Sequence, residues 1–266
     1  MFKKFNLVLA GVVVIASIII VKGFEIIRGE ESMNDEQTWM VAIMQADTSD
    51  GYLAQFCGGT LIAKDWVMTA AHCTFDISGN EYEASELDVL VGQDKLRSDD
   101  GERIAIKKIV RHEGFNGHTY NNDIALLKLA HESDAPIVKI ADKPIRRGQG
   151  TVFGWGVTEN GGTVDELRQA NLPLVSTAWC RDVYKFHGYT ITDKMICAGY
   201  RKGGSDACHG DSGGPLMTLL TKEERTQIGI ISWGKGCAAA NTYGVYTDVF
   251  EFKNWITFQM IVNQNA

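Results

Sequence analysis

The run GDSGGP at residues 210–215 is the densest group in this chain that could carry chemistry, because it places Ser212 among glycines. Glycine lets the backbone adopt conformations closed to other residues, and it lets a substrate carbonyl come close to main-chain N–H groups. A plain turn would also use glycines. Since a serine hydroxyl is inert without a base, a nucleophilic role for Ser212 requires a histidine within reach and a carboxylate that orients the histidine.

Both partners of such a serine have candidates. His72 lies in the segment TAAHC at residues 69–73, and Asp123 lies in the segment NNDIALL at residues 121–127, each beside a strand-like apolar run. Taken alone, a histidine is more often a surface group, and an aspartate before a strand is most often a turn residue. The chemical interpretation therefore depends on whether the fold brings the three segments together.

Short apolar runs that could position these segments recur along most of the chain. They are rich in Val, Ile and aromatic residues and are separated by Gly, Asn, Asp and Ser, which predicts an all-β chain of the sandwich or barrel type. The runs are residues 39–44, 60–62, 87–91, 104–110, 124–129, 151–153 and 227–233. Residues 132–147, with two prolines and mixed charge, are the best candidate for a connection between two halves.

The end of the chain has a different period. Apolar residues recur there at three- to four-residue spacing, which predicts a terminal helix with one buried face. These residues are Phe252, Trp255, Ile256, Met260 and Ile261.

Composition excludes several classes of protein. The 266 residues include 26 Lys and Arg against 33 Asp and Glu, and the formal net charge is −7. No block of basic residues is present, so the chain is not expected to bind nucleic acid. With 28 glycines, only 4 prolines and 45% hydrophobic residues, the chain is typical of a globular, turn-rich β protein.

The amino-terminal segment resembles an export signal. Lys3 and Lys4 precede an uninterrupted apolar stretch over residues 7–21, as a charged region precedes the hydrophobic region of a signal peptide. A bilayer-spanning helix needs about 20 apolar residues, so the stretch is short for a permanent anchor, although a membrane tether remains an alternative. We expect residues 1–23 to be a signal peptide and the protein to be secreted, to an extracellular or periplasmic space.

The six cysteines suit an oxidising compartment. An even number in an exported chain predicts three disulfides, while a zinc site is not expected because no C-x-x-C pair is present and the histidines lack metal-ligand spacing. Sequence alone does not choose among the possible cysteine pairings.

Seven segments in order give the chain a specific resemblance. They are CGGTLI at 57–62, TAAHC at 69–73, NDIALL at 122–127, GWG at 154–156, CHGDSGGP at 208–215, SWG at 232–234 and GVYT at 244–247. With these, the chain after residue 25 resembles the trypsin-like serine endopeptidases of the chymotrypsin family. The resemblance implies two six-stranded antiparallel β-barrels, at residues 26–140 and 141–266, with the catalytic residues in the cleft between them and an α-helix at the end of the chain.

The resemblance also implies a role for each candidate residue. Ser212 is expected to be the nucleophile, His72 the general base and later the acid, and Asp123 the carboxylate that orients the imidazole. The backbone N–H groups of Gly210 and Ser212 are expected to form the oxyanion hole.

The same resemblance implies a primary specificity pocket. Asp206 stands six residues before Ser212, where trypsin-like relatives carry the carboxylate at the pocket base. A carboxylate in that place selects Arg or Lys before the scissile bond. Other residues implied to line or open the pocket are Ser232, Trp233, Gly234 and Gly244, with Tyr120 and Tyr184 at neighbouring subsites.

The family also implies how the cysteines pair. The expected disulfides are Cys57–Cys73, Cys180–Cys197 and Cys208–Cys237.

Activation is implied at the start of the mature chain. The freed α-amino group of Ile26 is expected to fold inward and pair with Asp211, so that the longer chain is a zymogen. Removal of the signal would leave residues 24–25 as a short propeptide. Glu25 is neither Arg nor Lys, so self-activation is not expected, and Arg28 stands where relatives usually have Gly.

No cofactor is expected, although calcium stays open. Related trypsins bind calcium with acidic side chains in a loop that corresponds to residues 93–102, but here Gln93 occupies an expected carboxylate position. The acidic residues of this loop are more readily explained as a solvated face. Tyr243 stands where many trypsins have Pro, a position tied in some relatives to a sodium site.

The expected partners are protein or peptide substrates with Arg or Lys before the cleaved bond, together with protein protease inhibitors, and the protein is expected to be a monomer. Two alternatives remain: a membrane-tethered protease, and a protease-shaped binding protein without turnover. Hydrolysis of a chromogenic arginyl amide distinguishes the last from an enzyme.

Overall fold

The computed structural model describes residues 30–31, 37–157, 162, 164–219 and 225–264. The predicted signal peptide, the dipeptide at residues 24–25 and Ile26 lie outside the described residues. Within the described part, no helix combines the length and the apolar character needed to cross a bilayer.

Fourteen strands and three α-helices make up the described fold. The strands are β1 (Glu30–Glu31), β2 (Met40–Gln45), β3 (Gln55–Ala63), β4 (Trp66–Thr69), β5 (Leu87–Val91), β6 (Glu102–Arg111), β7 (Ala125–Leu129), β8 (Lys139–Ile140), β9 (Gln149–Gly154), β10 (Arg168–Val175), β11 (Met195–Ala198), β12 (Pro215–Leu219), β13 (Arg225–Trp233) and β14 (Gly244–Asp248). The helices are α1 (Gly51–Ala54), α2 (Thr177–Phe186) and α3 (Lys253–Val262), and 3₁₀ turns cover Ala71–Thr74, Ala84–Glu86 and Val249–Phe252.

The first half of the chain forms a closed barrel in the order β2-β3-β4-β7-β6-β5, with every pair antiparallel. Its strands are rich in Val, Ile and Leu, and β6 alternates between exposed and buried residues as a strand with one solvated face does. Because the barrel closes on itself, it leaves no unpaired edge among these strands.

The second half forms another closed barrel. Strand β9 pairs with β10 and β12, β11 pairs with β10 and β14, and β13 joins β12 to β14, all antiparallel. Two short strands lie outside this ring: β1 pairs with β10, and β8 pairs in parallel with β13. The prediction of two six-stranded antiparallel barrels is confirmed.

The terminal helix α3 returns to the first barrel. Phe252 and Ile256 are buried in the same cluster as Val41, Leu61 and the other core residues of that barrel, while Trp255 and Met260 are partly buried against it. Ile261, which the spacing placed on the buried face, is 66% exposed, so that part of the prediction is wrong. The helix ends at Val262.

Buried hydrogen bonds fix the two barrels against each other. The Thr60 hydroxyl on β3 donates to Oε1 of Gln227 on β13 at 2.7 Å. The backbone N–H of Gly58, also on β3, donates to the carbonyl of Ser212 at 2.7 Å. Strand β3 therefore sets the position of the serine segment relative to the first barrel.

Candidate active site

A cleft of about 370 Å³ brings together residues from both barrels. His72 lies in the 3₁₀ turn that follows β4, Asp123 lies just before β7, and Ser212 lies just before β12. The cleft is lined by His72, Tyr120, Asp206, Ala207, Cys208, His209, Ser212, Ile231, Ser232, Trp233, Gly234, Gly236, Cys237, Val245 and Tyr246. Strand ends thus bring together segments that are far apart in the sequence.

The carboxylate of Asp123 has no solvent exposure and is satisfied by donors from both barrels. His72 contributes two of them, its ring Nδ1 at 2.8 Å and its backbone N–H at 2.9 Å. The Ser232 hydroxyl donates to Asp123 Oδ2 at 2.5 Å, and Thr247 Oγ1 donates to the Asp123 backbone carbonyl at 2.7 Å. With Nδ1 as the donor to Asp123, the neutral imidazole has its basic nitrogen at Nε2.

The environment of His72 favours its protonated form. Burial lowers the pKa of the imidazole, but the charge of Asp123 and its hydrogen bond together outweigh burial and raise that pKa above the ordinary value. A base with such a pKa can accept a proton during a reaction, because the resulting imidazolium is stabilised by the carboxylate beside it.

Ser212 lies in a tightly folded turn that requires glycine. Gly210 and Gly213 have φ angles of +93° and +81°, in the left-handed region. A Cβ at Gly213 would lie 2.2 Å from Oγ1 of Thr69 and 2.4 Å from the carbonyl of Gly58. The glycines are therefore needed both for backbone conformation and for close packing against the first barrel.

Ser212 and His72 line the same cleft, but their side chains do not form a hydrogen bond with each other in the described part of the chain. Such contacts are often long in substrate-free enzymes and tighten when the substrate binds. The arrangement therefore puts a hydroxyl and an imidazole in one cavity, with the imidazole oriented by a buried carboxylate.

The backbone N–H groups expected to form the oxyanion hole belong to Gly210 and Ser212. Among the described residues, no acceptor is hydrogen-bonded to the N–H of Gly210 or of Ser212. The Gly210 carbonyl, in contrast, accepts a hydrogen bond from Nε2 of Gln55 at 2.7 Å. Gln55 is buried at the start of β3, and it fixes the orientation of Gly210. Nothing in the sequence pattern identified Gln55, because its partner lies 155 positions away.

Asp211 occupies a narrow buried cradle beside the serine. The N–H groups of Gly156 and Cys208 each donate to its carboxylate at 2.8 Å. Burial raises the pKa of Asp211 to about 7, although these two hydrogen bonds oppose the rise. A Cβ at Gly154 would lie 2.0 Å from Asp211 Oδ1, so glycine is required there to leave room for the carboxylate.

Asp206 is 7% exposed and lines the same cleft as His72 and Ser212. The N–H groups of Ala207 and Ala238 donate to its two carboxylate oxygens at 2.9 and 3.0 Å. Burial raises the pKa of Asp206 to about 6, and the two hydrogen bonds lower it in part. A Cβ at Gly244 would lie 2.9 Å from Asp206 Oδ1 and would obstruct access to the carboxylate.

The remaining residues that the sequence analysis assigned to the pocket also lie at the cleft, and one of them has a second contact. Trp233 and Gly234 line the cleft, and Tyr120 lies with its ring centroid 6.5 Å from that of Trp233. Ser232 lines the cleft and also holds Asp123, a contact that the sequence did not indicate.

Tyr184 is a correction to the sequence analysis. It is fully buried behind Trp233, at a centroid separation of 4.9 Å, and its hydroxyl donates to the carbonyl of Tyr243. Tyr184 therefore supports a wall of the cleft from behind and does not itself shape a neighbouring subsite.

All six cysteines form disulfides. The bonds are Cys57–Cys73, Cys180–Cys197 and Cys208–Cys237, which is the pairing that the family resemblance implies. The first joins β3 to the turn that carries His72, and the last joins the segment before Ser212 to the opposite wall of the cleft. Disulfides thus support both sides of the site.

The described residues do not form a plausible metal site. The two groups of potential ligand atoms in this part of the chain each contain a disulfide, namely Cys57, Cys73 with His72, and Cys208, Cys237 with His209. Sulfurs bonded to each other are not available as thiolate ligands.

In the loop at residues 93–102, which was compared above with the calcium loop of related trypsins, Gln93 and Arg97 form contacts within the protein. Gln93 is 4% exposed; its Oε1 accepts from the N–H of Gly101 at 2.8 Å, and its Nε2 donates to the carbonyl of Lys95 at 2.5 Å. Arg97 forms an ion pair from this loop to Asp50 at 2.9 Å. Calcium requires six to eight oxygen ligands. The loop carries Asp94, Asp99, Asp100 and Glu102, but position 93 offers an amide that already bonds within the loop, and Arg97 adds a positive charge.

Comparisons with known proteins agree with this geometry. The family model described as Trypsin matches residues 26–256. The chain is 37% identical to Trypsin eta of Drosophila erecta over 84% of this chain and 85% of that protein. It is 40% identical to Trypsin-1 of Astacus astacus over 79% of this chain and 90% of that protein. It is 38% identical to Trypsin I-P1 of Gallus gallus over 82% of this chain and 84% of that protein. The chain therefore belongs to the trypsin family and is a trypsin-like serine endopeptidase.

Proposed function

We propose that this endopeptidase cleaves after Arg or Lys, and that Ser212, His72 and Asp123 carry the reaction through an acyl-enzyme. The observation that carries the proposal is the single cleft that has the buried carboxylate of Asp206 in its lining together with His72 and Ser212. One cavity thus offers a site for a cationic side chain and a nucleophile with its base.

In this mechanism, the Ser212 oxygen attacks the scissile carbonyl carbon while Nε2 of His72 accepts the hydroxyl proton. Asp123 keeps its hydrogen bond to Nδ1 and stabilises the imidazolium. His72 then gives the proton to the leaving amine, and the C–N bond breaks. Water, deprotonated by the same imidazole, releases the acid product from Ser212.

The N–H groups of Gly210 and Ser212 stabilise the oxyanion in this proposal. Gln55 holds the Gly210 carbonyl, and this contact fixes the peptide group between Gly210 and Asp211, which follows the Gly210 N–H, before substrate arrives. Donors that face a charge which develops only in the tetrahedral state contribute about 3 kcal/mol each to its stabilisation.

Asp206 supplies the specificity. Its carboxylate is buried without a cation among the contacts that affect its pKa, and burial makes the charged form costly. A guanidinium or ammonium from the substrate relieves that cost by forming a charge-assisted hydrogen bond. Only the long side chains of Arg and Lys bring a cation to the end of such a pocket.

Asp211 supports the proposal of a zymogen. Its carboxylate is buried in the cradle of Gly154 and Gly156 with a pKa of about 7, so an adjacent cation would stabilise it. An α-amino group has a pKa of about 8, and we propose that the amino group of Ile26 supplies this cation after residues 24–25 are removed. Sequencing the amino terminus of active and inactive forms tests this step.

We further propose that residues 1–23 are a cleaved signal and that the mature protein is a secreted monomer. The three disulfides fit an oxidising compartment. Its partners are then protein substrates and protein inhibitors that enter the same cleft. Neither the membrane tether nor the silent binding protein is favoured by a contact in the described structure.

Replacing the nucleophile tests the mechanism. Ser212→Ala removes the attacking oxygen, and we expect hydrolysis of an arginyl amide by the processed enzyme to fall on the order of 10⁴-fold or more. Ser78→Ala, at an exposed position, is the matched control and keeps full activity. An unchanged rate in Ser212→Ala of normal thermal stability contradicts the assignment.

Replacing the pocket carboxylate tests the specificity. Asp206→Ser leaves the nucleophile intact but removes the anion, so kcat/KM for an arginyl amide falls by about 10³-fold and the preference for Arg and Lys disappears from a cleavage-site profile. The control Asp142→Ser, on an exposed loop, retains the wild-type kcat/KM and the preference for Arg and Lys. A retained Arg/Lys preference in Asp206→Ser shows that another residue selects the substrate.

The raised pKa of Asp206 predicts how pH affects cation binding. The carboxyl is charged above about pH 6 and neutral below it, so affinity for a cation is full above this pH and is lost as the pH falls. For a small guanidinium inhibitor, we expect Ki to rise by about tenfold per pH unit below pH 6. In Asp206→Asn we expect weak inhibition, with a Ki that does not change with pH. A wild-type Ki that is constant from pH 7 to 4 contradicts the prediction.

The Gln93 contacts predict that the protein is stable without calcium. In the inactive Ser212→Ala background, we expect the same thermal midpoint in EDTA and in millimolar calcium. Gln93→Glu removes the donor to Lys95 and lowers the free energy of unfolding in EDTA by about 1–3 kcal/mol, whereas the exposed control Gln149→Glu does not. A clear rise in the wild-type midpoint with calcium contradicts this prediction.

A further inference from the structure

A second cavity of about 620 Å³ lies directly beside the active-site cleft. We call it the outer groove, and its main walls are Trp179, Val183, Phe186, His187, Lys235 and Thr242. Gly234 and Gly236 line the cleft, while Lys235 between them lines the outer groove. The two cavities therefore share one strip of chain as a wall.

One wall of the outer groove is an apolar stripe on α2. Trp179, Val183 and Phe186 stand at i, i+4 and i+7, which places them on one face of the helix. An adjacent face packs into the core through Cys180 and Tyr184, both without solvent exposure, and Val183 packs partly against the same cluster. Trp179 and Phe186 are 46% and 89% exposed, so these two rings contribute little to the core.

The stripe is held rigidly. The Ser176 side chain caps α2 by accepting from the N–H of Trp179 at 3.3 Å, and the indole N–H of Trp179 donates to the hydroxyl of Tyr243 at 2.9 Å. The disulfide between Cys180 and Cys197 joins the same helix to β11. Because the indole of Trp179 is fixed in advance, a ligand that covers it has little ordering entropy to offset there.

Charge gives the outer groove its polarity. Lys235 Nζ donates to Nδ1 of His187 at 2.9 Å, and the guanidinium of Arg201 lies 5.8 Å from the centroid of the Trp179 ring. Neither cation forms an ion pair with a described carboxylate, and Asp182 is the one acidic residue that lines the outer groove. Lys235 belongs to the lining, on the strip shared with the cleft, while Arg201 stands outside the lining beside the Trp179 wall. These cations favour a ligand with an anionic group and an apolar part.

The position of the reacting groups indicates which part of a substrate reaches this groove. His72 must face the leaving amine, so the part of the substrate after the scissile bond lies toward the first barrel. The acyl part then lies toward the second barrel, along Trp233 and Gly234, and these lead directly to Lys235.

We propose that the outer groove binds the protein substrate several residues before the scissile bond, where it accepts a large aromatic side chain next to a carboxylate. The aromatic ring packs on Trp179 and Phe186, and the carboxylate pairs with Lys235. This inference rests on the proposed cleavage after Arg or Lys, and it adds a second point of selection to the primary pocket.

Peptides of equal length test the proposal. Each has one Arg before the cleaved bond, and a Phe-Asp pair is moved through positions three to seven before that Arg; the reference peptides carry Ser-Asn instead. We expect kcat/KM to be about five- to tenfold higher for Phe-Asp at one or two adjacent positions, mainly through a lower KM. The gain declines at high salt, because part of it comes from exposed charges.

Variants assign the gain to the outer groove. Phe186→Ser and Lys235→Gln each abolish most of it, while Phe258→Ser, at a 59% exposed position on α3, retains it. A short arginyl amide, which ends before the outer groove, is hydrolysed within about twofold of the wild-type rate by all three variants.

The two levels of the proposal fail in different ways. If wild type does not hydrolyse the short arginyl amide, the proposed function fails. If it does, but the Phe-Asp gain is absent, or persists in both Phe186→Ser and Lys235→Gln, the proposal for the outer groove is overturned.

Discussion

The burial of one carboxylate, Asp123, is the constraint on which the rest of the site depends. An ionised carboxylate without solvent exposure is tolerated only when hydrogen-bond donors surround it, because an unpaired buried charge costs several kcal/mol. The donors come from both barrels: His72 from the first, Ser232 from the second. Docking of the two barrels therefore completes the hydrogen-bonded environment of the carboxylate that orients the imidazole.

The segment around Ser212 shows what this docking requires of the backbone. Gly213 packs so closely against Thr69 and Gly58 that a methyl group would overlap both, and the Ser212 carbonyl accepts the Gly58 N–H. The serine is thus held by the first barrel although it belongs to the second. A flexible turn could not hold the Ser212 hydroxyl at a fixed distance from an imidazole on the other barrel, and the reaction that we propose depends steeply on that distance.

Local patterns in the sequence predicted the parts of the structure that have local causes. The short apolar runs predicted seven strands, namely β2, β3, β5, β6, β7, β9 and β13, and the short motifs around His72, Asp123 and Ser212 marked the candidate site. Local patterns could not predict contacts between side chains and residues that are remote in the sequence. Gln55 bonds to Gly210, 155 positions away, and Ser232 bonds to Asp123, 109 positions away. Tyr184 was misplaced for the same reason, since only packing shows that it lies behind Trp233 and not beside it.

Three buried carboxylates near the cleft share one chemistry but differ in the source of their neutralising group. The partner of Asp123 is His72, which is present as soon as the chain folds. Burial raises the pKa of Asp211 to about 7 and that of Asp206 to about 6. The charged form of each carboxyl is therefore costly, and an added cation would stabilise it. In our proposal Asp211 receives the new α-amino group and Asp206 receives the substrate. Folding, processing and substrate binding then each complete one charge pair.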